Sequence, residues 1–165
     1  MITVKHSMAP VGSTDAQLLI LGSLPGEASL RAGRYYAHPQ NQFWRLLGAA
    51  IDEDWADLEY EHRLERLAAR RIALWDVVGA ARREGSLDGA IRGATPNKLA
   101  DYVATHPRLR AIAFNGQTAG RLGRLALREA QGLVLVDLPS SSPAYTLPLA
   151  WKLERWAELS RFASR

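Results

Sequence analysis

At 165 residues the chain is long enough for one domain with a real core and too short for two comfortable ones. Its composition, 47% hydrophobic and 23% charged without a single cysteine, is ordinary for a soluble protein and excludes disulfides, thiolate catalysis and cysteine-ligated metal or iron–sulfur sites. A net charge of +4 with the excess mostly in arginine favours a polyanionic partner without requiring one.

The segment Met1 to Ser13 lacks the apolar core of a signal peptide, and no apolar run approaches the roughly 20 residues of a membrane span. Ala16–Gly22 reads as a first buried strand, a short and nearly continuous apolar run. Phe43, Leu46, Leu47 and Ala50 then fall on one helical face. Leu64, Leu67 and Ala68 do the same, with Arg63, Glu65 and Arg66 turned outward. Arg71–Val78 is the second strand, and the glycines at 85, 89 and 93 mark a surface excursion rather than a domain linker. Thr95-Pro96 predicts a helix start leading to Leu99 and Val103. Leu109–Asn115 is the third strand, Gln117–Ala130 a helix, Leu133–Leu138 the fourth strand and Leu149–Phe162 a final helix. Strands alternating with helices imply a parallel sheet covered on both faces.

Four places carry chemistry. The first strand breaks into Gly22-Ser23-Leu24-Pro25-Gly26, a stiff elbow of the kind that borders a ligand, or simply a tight turn. It is not a P-loop, because GxxxxGK[ST] is absent. Next comes Tyr35-Tyr36-Ala37-His38-Pro39-Gln40-Asn41-Gln42-Phe43-Trp44. There Asn41 is either a helix cap or an amide near a reacting centre, His38 either a structural histidine or a site residue, and Phe43 and Trp44 either core or site. Tyr35 or Tyr36 is suited to stack on a flat ligand. Asp76 ends an apolar strand, where a carboxylate needs a partner, and Asn115-Gly116 holds the matching place on the third strand. Finally, Ser140, Ser141 and Ser142 lie between Pro139 and Pro143, followed by Ala144 and Tyr145, a stiff donor-rich loop that suits phosphate.

In this order and spacing, Gly22–Gly26, Tyr36–Trp44, Ala73–Val78, Phe114-Asn115-Gly116 and Leu138–Ala144 resemble the motifs of the hypoxanthine (deoxyinosine) DNA glycosylases of the uracil-DNA glycosylase superfamily. The resemblance runs from about Leu18 to Trp156 and implies one such domain over residues 1–165. It implies an α/β fold, a three-layer αβα sandwich around a four-stranded, mainly parallel sheet. The implied activity is removal of a deaminated purine, hypoxanthine, from DNA, leaving an abasic site. The nucleotide must be flipped out because the glycosidic bond is shielded in the stacked duplex. Asn41 takes the catalytic role by this likeness. Gly22, Ser23, Leu24, Pro25, Gly26, Tyr36, His38, Phe43, Asp76 and Asn115 surround the base, and Ser140 to Tyr145 grip the DNA.

The chain departs from uracil-excising relatives at two positions. Leu24 stands where they carry a water-orienting Asp or Asn, and Leu138 where they often carry His or Asn. Ordinary uracil excision is therefore not expected. A broader glycosylase acting on uracil or xanthine and a lesion-binding module without catalysis are the competing readings. A serine hydrolase built from Ser140 or Ser142, His38 and Asp76 lacks a G-x-S-x-G elbow. No cofactor or metal is expected, since His6, His38, His62 and His106 have no ligand spacing. The expected protein is a cytoplasmic, DNA-associated monomer, with no lysine placed by a recognised motif for lyase chemistry.

Overall fold

A computed structural model describes residues 3–165. Its centre is a parallel sheet of four strands in the order β3-β2-β6-β7: β2 (Leu18–Gly22), β3 (Ile72–Asp76), β6 (Ala111–Asn115) and β7 (Val134–Leu138). The register pairs Ile20 with Leu74 and with Ala113, and Ala113 with Val136, so the strand ends line up. Alternate residues face opposite ways along a strand. Leu18 and Ile20 therefore pack with α2 (Phe43–Ala50), α3 (Tyr60–Ala69), α6 (Leu149–Trp156) and the following 3-10 turn. Leu19 and Leu21 pack on the other face with α4 (Leu99–Thr105) and α5 (Gln117–Ala126). The three-layer αβα arrangement read from the sequence is present, and the four strands sit within two residues of their expected starts.

A second, antiparallel sheet was not foreseen. It has the order β1-β4-β5, with β1 (Val4–His6), β4 (Val78–Arg82) and β5 (Arg92–Pro96). It grows directly out of the parallel sheet: Val77 N–H bonds Gly22 O and Val78 N–H bonds Ser23 O, then the chain continues as β4. Thr95-Pro96, expected to begin a helix, lies in β5, and α4 begins at Leu99. Pairing to β4 wins because β5 is an edge strand, where a proline without an N–H is tolerated. Asn97 then turns the chain, donating from its backbone to Val77 O and from Nδ2 to Asp76 O, both at 2.8 Å. The helix expected over Gln117–Ala130 stops at Ala126, and the one expected to reach Phe162 gives way at Ala157 to a 3-10 turn. A short α1 (Glu27–Ala32) follows the elbow.

Candidate active site

The carboxyl ends of β2, β3, β6 and β7 open into one cavity of about 490 Å³, a size suited to a small-molecule or nucleoside ligand. The elbow Gly22–Gly26, Tyr36, His38, Asn41, Asp76, Asn115 and Ser140 to Tyr145 all border it. The ends of the four strands thus meet there because parallel strands deliver their ends to one edge of the sheet, and the Tyr36–Asn41 segment joins them from ahead of α2.

At the elbow, glycine at position 22 is a spatial necessity. A Cβ there would lie 2.6 Å from Asp76 Oδ1 and 2.9 Å from the Tyr36 hydroxyl. Those two oxygens close over the glycine backbone at the floor of the cavity. Leu24 is buried and packs with Val78 and Ala81 of β4 and with Ile91. Leu24 therefore fastens the elbow to the second sheet. Arg83, fully buried, completes that fastening: its guanidinium donates to the carbonyls of Gly85, Leu24 and Pro25.

Tyr36 has φ +53°, a left-handed conformation unusual for a bulky side chain and common where function imposes strain. Its ring stacks on Phe43 with centroids 3.8 Å apart and planes 8° from parallel. Phe43 itself is fully buried and does not reach the cavity wall, so the expected base-contacting residue is instead the platform beneath Tyr36. Trp44 and Trp156 meet Phe43 edge-on and complete the platform. The Tyr36 hydroxyl is buried without a hydrogen-bond partner among the described residues. Burial and the nearby Asp76 push its ionisation well above the ordinary phenol range. Tyr35 also borders the cavity and is anchored by its hydroxyl, which donates to Ala9 O at 2.8 Å. His38 Nδ1 accepts from Gln40 N–H at 3.1 Å.

Asn41 caps α2 and also borders the cavity. Its Oδ1 accepts the Phe43 N–H at 3.0 Å, satisfying a free donor at the start of α2. The hydrogen bond fixes the amide while leaving the oxygen a second lone pair. The adjacent Gln42 bonds to Ser141 O through its N–H and accepts from the buried Lys152 Nζ at 3.0 Å. The Asn41 segment is thereby tied to the serine loop and to α6.

Asp76 is buried with one weak contact, Ser7 Oγ donating to Oδ2 at 3.4 Å. Burial pushes its carboxyl up to about 7, helped by the charge of Asp88 and opposed by Ser7 and Arg83. Asn115 braces the serine loop: its Nδ2 donates to Ser141 Oγ and its Oδ1 accepts the Ser141 N–H, both at 2.9 Å. This commits the Asn115 amide and holds Ser141, itself buried, in place at the cavity wall. Ser140 and Ser142 also border the cavity, and their hydroxyls accept the N–H groups of Ser142 and Ala144. The Lys152 ammonium lies 5.3 Å from the Tyr145 ring centroid.

Sequence reasoning missed Asp88 and Arg83. Arg83 directly follows β4, and Asp88 lies in the glycine-marked excursion, which is mostly exposed as expected yet turns Ser86 and Asp88 toward the elbow. Ser23 Oγ donates to Asp88 Oδ1 at 2.5 Å, and the Glu27 N–H bonds Ser86 Oγ at 2.9 Å. Nothing in the local sequence separates Asp88 from the nearby Glu84 as a site residue. Among the described residues no group of three or more His, Asp or Glu could hold a metal ion, and no helix is long and apolar enough to cross a membrane.

The family model of the uracil DNA glycosylase superfamily matches residues 9–160. The chain belongs to that superfamily. A hypoxanthine DNA glycosylase of Methanosarcina barkeri is 40% identical over 154 residues, which cover 93% of this chain and 96% of the relative. A hypoxanthine DNA glycosylase of Methanosarcina acetivorans is 42% identical over 141 residues, covering 86% and 88%. In three dimensions this uracil DNA glycosylase superfamily member resembles a solution NMR structure from Methanosarcina acetivorans, of a protein described as a candidate uracil DNA glycosylase. The TM-score is 0.86 at 40% identity, over 96% of this chain and 98% of that one.

Proposed function

We propose that this superfamily member is a monofunctional DNA glycosylase that takes an extruded deaminated purine nucleotide, hypoxanthine foremost, and hydrolyses its N-glycosidic bond. The observation that carries the reading is Asn41: a pinned amide bordering the same cavity as Asp76, beside an elbow whose own polar side chain is replaced by a buried leucine. The names of the two 40–42% identical relatives support the choice of base.

The chemistry follows from the groups present. Flipping brings the sugar to the cavity mouth and the base to its floor. An amide has no useful basicity, so Asn41 acts through its dipole, holding water and stabilising the sugar as positive charge builds on it. Asp76 Oδ1 accepts from N1–H of hypoxanthine, and a serine hydroxyl or backbone N–H of the cavity wall serves O6. Adenine offers an acceptor at N1 and a donor at its amino group, which mismatches that pair. Tyr36, supported by Phe43, limits how the base lies. Ser140, Ser142 and Tyr145 hold flanking DNA, with Ala144 or Tyr145 filling the gap left in the duplex.

The test is release of free base from oligonucleotides that each contain one deoxyinosine, deoxyxanthosine or deoxyuridine. Hypoxanthine is expected to be released fastest. Asn41→Ala should slow single-turnover release by roughly 10²–10³-fold, in line with removing one preorganised dipole. Asp76→Ala should lower discrimination between deoxyinosine and deoxyadenosine. A near-normal rate for Asn41→Ala removes that residue from the mechanism, and tight lesion binding without release favours a non-catalytic module.

A further inference from the structure

We propose that Asp88 is the general base of this site, the carboxylate that takes the proton from the attacking water. The inference rests on the hydrolytic reading above and deepens it. Hydrolysis needs a proton acceptor at the sugar, and the two positions first associated with water cannot supply one. Leu24 is apolar and turned into the patch with Val78, Ala81 and Ile91, and Asn41 is an amide.

Asp88 is brought to the cavity by the same packing that removed Leu24. Ile91, from the excursion, rests against Leu24, and three residues earlier Asp88 lines the cavity and accepts from Ser23 Oγ at 2.5 Å. The length of that bond fits a hydroxyl donating to an ionised carboxylate. Ser23 is itself 7% exposed and immediately precedes Leu24, so the carboxylate sits one residue from the vacated position. The other charged and titratable groups near it are Arg83 at the end of β4, Asp76 at the end of β3, Tyr36, and Glu27 on the far side of Arg83. The Arg83 donors go to the Gly85, Leu24 and Pro25 carbonyls, so Asp88 is not quenched by a paired guanidinium. Burial holds its carboxyl above the ordinary range, which strengthens it as a base.

In the step, water oxygen bonds to C1′ and the C1′–N bond breaks with its electron pair left on the purine. One water proton passes to Asp88, and the departing purine takes a proton from solvent. Asp88 is reset by releasing its proton to solvent, giving an abasic sugar and free base.

The test compares single-turnover release from a deoxyinosine duplex across pH for the wild-type protein, Asp88→Asn and Asp88→Glu, alongside Kd for the same duplex and Tm. Asparagine keeps the acceptor for Ser23, so fold and Kd should change little, within about threefold. The Asp88→Asn rate should fall by roughly 10²–10⁴-fold, the range for general-base catalysis. Wild-type rates should decline as pH falls and the base is protonated. That decline should vanish in Asp88→Asn and persist, at reduced rate, in Asp88→Glu. An Asp88→Asn rate within threefold of wild type, with the acid decline intact, overturns Asp88 while leaving the glycosylase reading standing. Equal losses of Kd and Tm in both variants mark the residue as scaffold and also overturn it. A wild-type protein that releases no base from any lesion duplex overturns both readings.

Discussion

The two sheets join at Val77 and are built on opposite terms. The parallel sheet is buried except along its β7 edge: every residue of β2 and β6 is buried, as are four of the five in β3. The antiparallel sheet is thin, and every residue of its β5 edge is exposed. Both nonetheless supply the cavity. The parallel sheet contributes the elbow, Asp76, Asn115 and the serine loop, all at strand ends. The antiparallel sheet contributes Arg83, which holds the elbow from outside, and the excursion that carries Asp88. A buried scaffold fixes where a site lies, and a lightly packed appendage can still complete it through a few directional polar contacts.

The sharpest way to break this comparison is Arg83→Met, which keeps volume and removes three hydrogen bonds. Leaving buried carbonyls at Leu24, Pro25 and Gly85 unpaired should cost roughly 3–5 kcal/mol in urea unfolding. Base release should fall with it. A loss under about 1 kcal/mol would reduce the antiparallel sheet to decoration.

A smaller effect, of opposite sign, belongs to the parallel sheet. Asp76 has its folded carboxyl pushed up to about 7 from 3.8. The folded state then holds a proton that the unfolded chain has released, so the stabilising difference is full below about pH 4 and is lost as pH rises toward 7. Asp76→Asn removes that loss. The variant should match wild type near pH 4 and exceed it by a few kcal/mol near pH 8, read by Tm across pH. An unchanged pH dependence would mean that Asp76 is solvated in the folded protein. The smallest effect is expected at Gly93, at φ +60° in the exposed edge strand, where Gly93→Ala should cost about 1 kcal/mol and leave base release unaltered.

Legibility in the sequence followed the same division. Continuous apolar runs such as Leu18–Leu21 and Ala111–Phe114 announce strands covered on both faces, because only such burial tolerates them. The motifs at their ends were legible for the same reason. The Thr95-Pro96 pair was misread because capping chemistry is local, whereas pairing with β4 is not. Phe43 and Ser141 carried the right residue types for a site, yet their orientation depends on Tyr36 and Asn115, remote from any local pattern.

By itself, then, the chain determined the layered α/β scaffold, the superfamily and the cavity's strand-end residues, because hydrophobic periodicity and motif spacing are written in neighbouring positions. Only the tertiary structure decided that Leu24 faces apolar packing, that Asn41 is pinned by Phe43, and that Asp88 reaches Ser23 across 65 positions. The physical reason is that hydrogen bonds and charge act over a few ångströms of space. Which groups come that close is set by how the two sheets pack together.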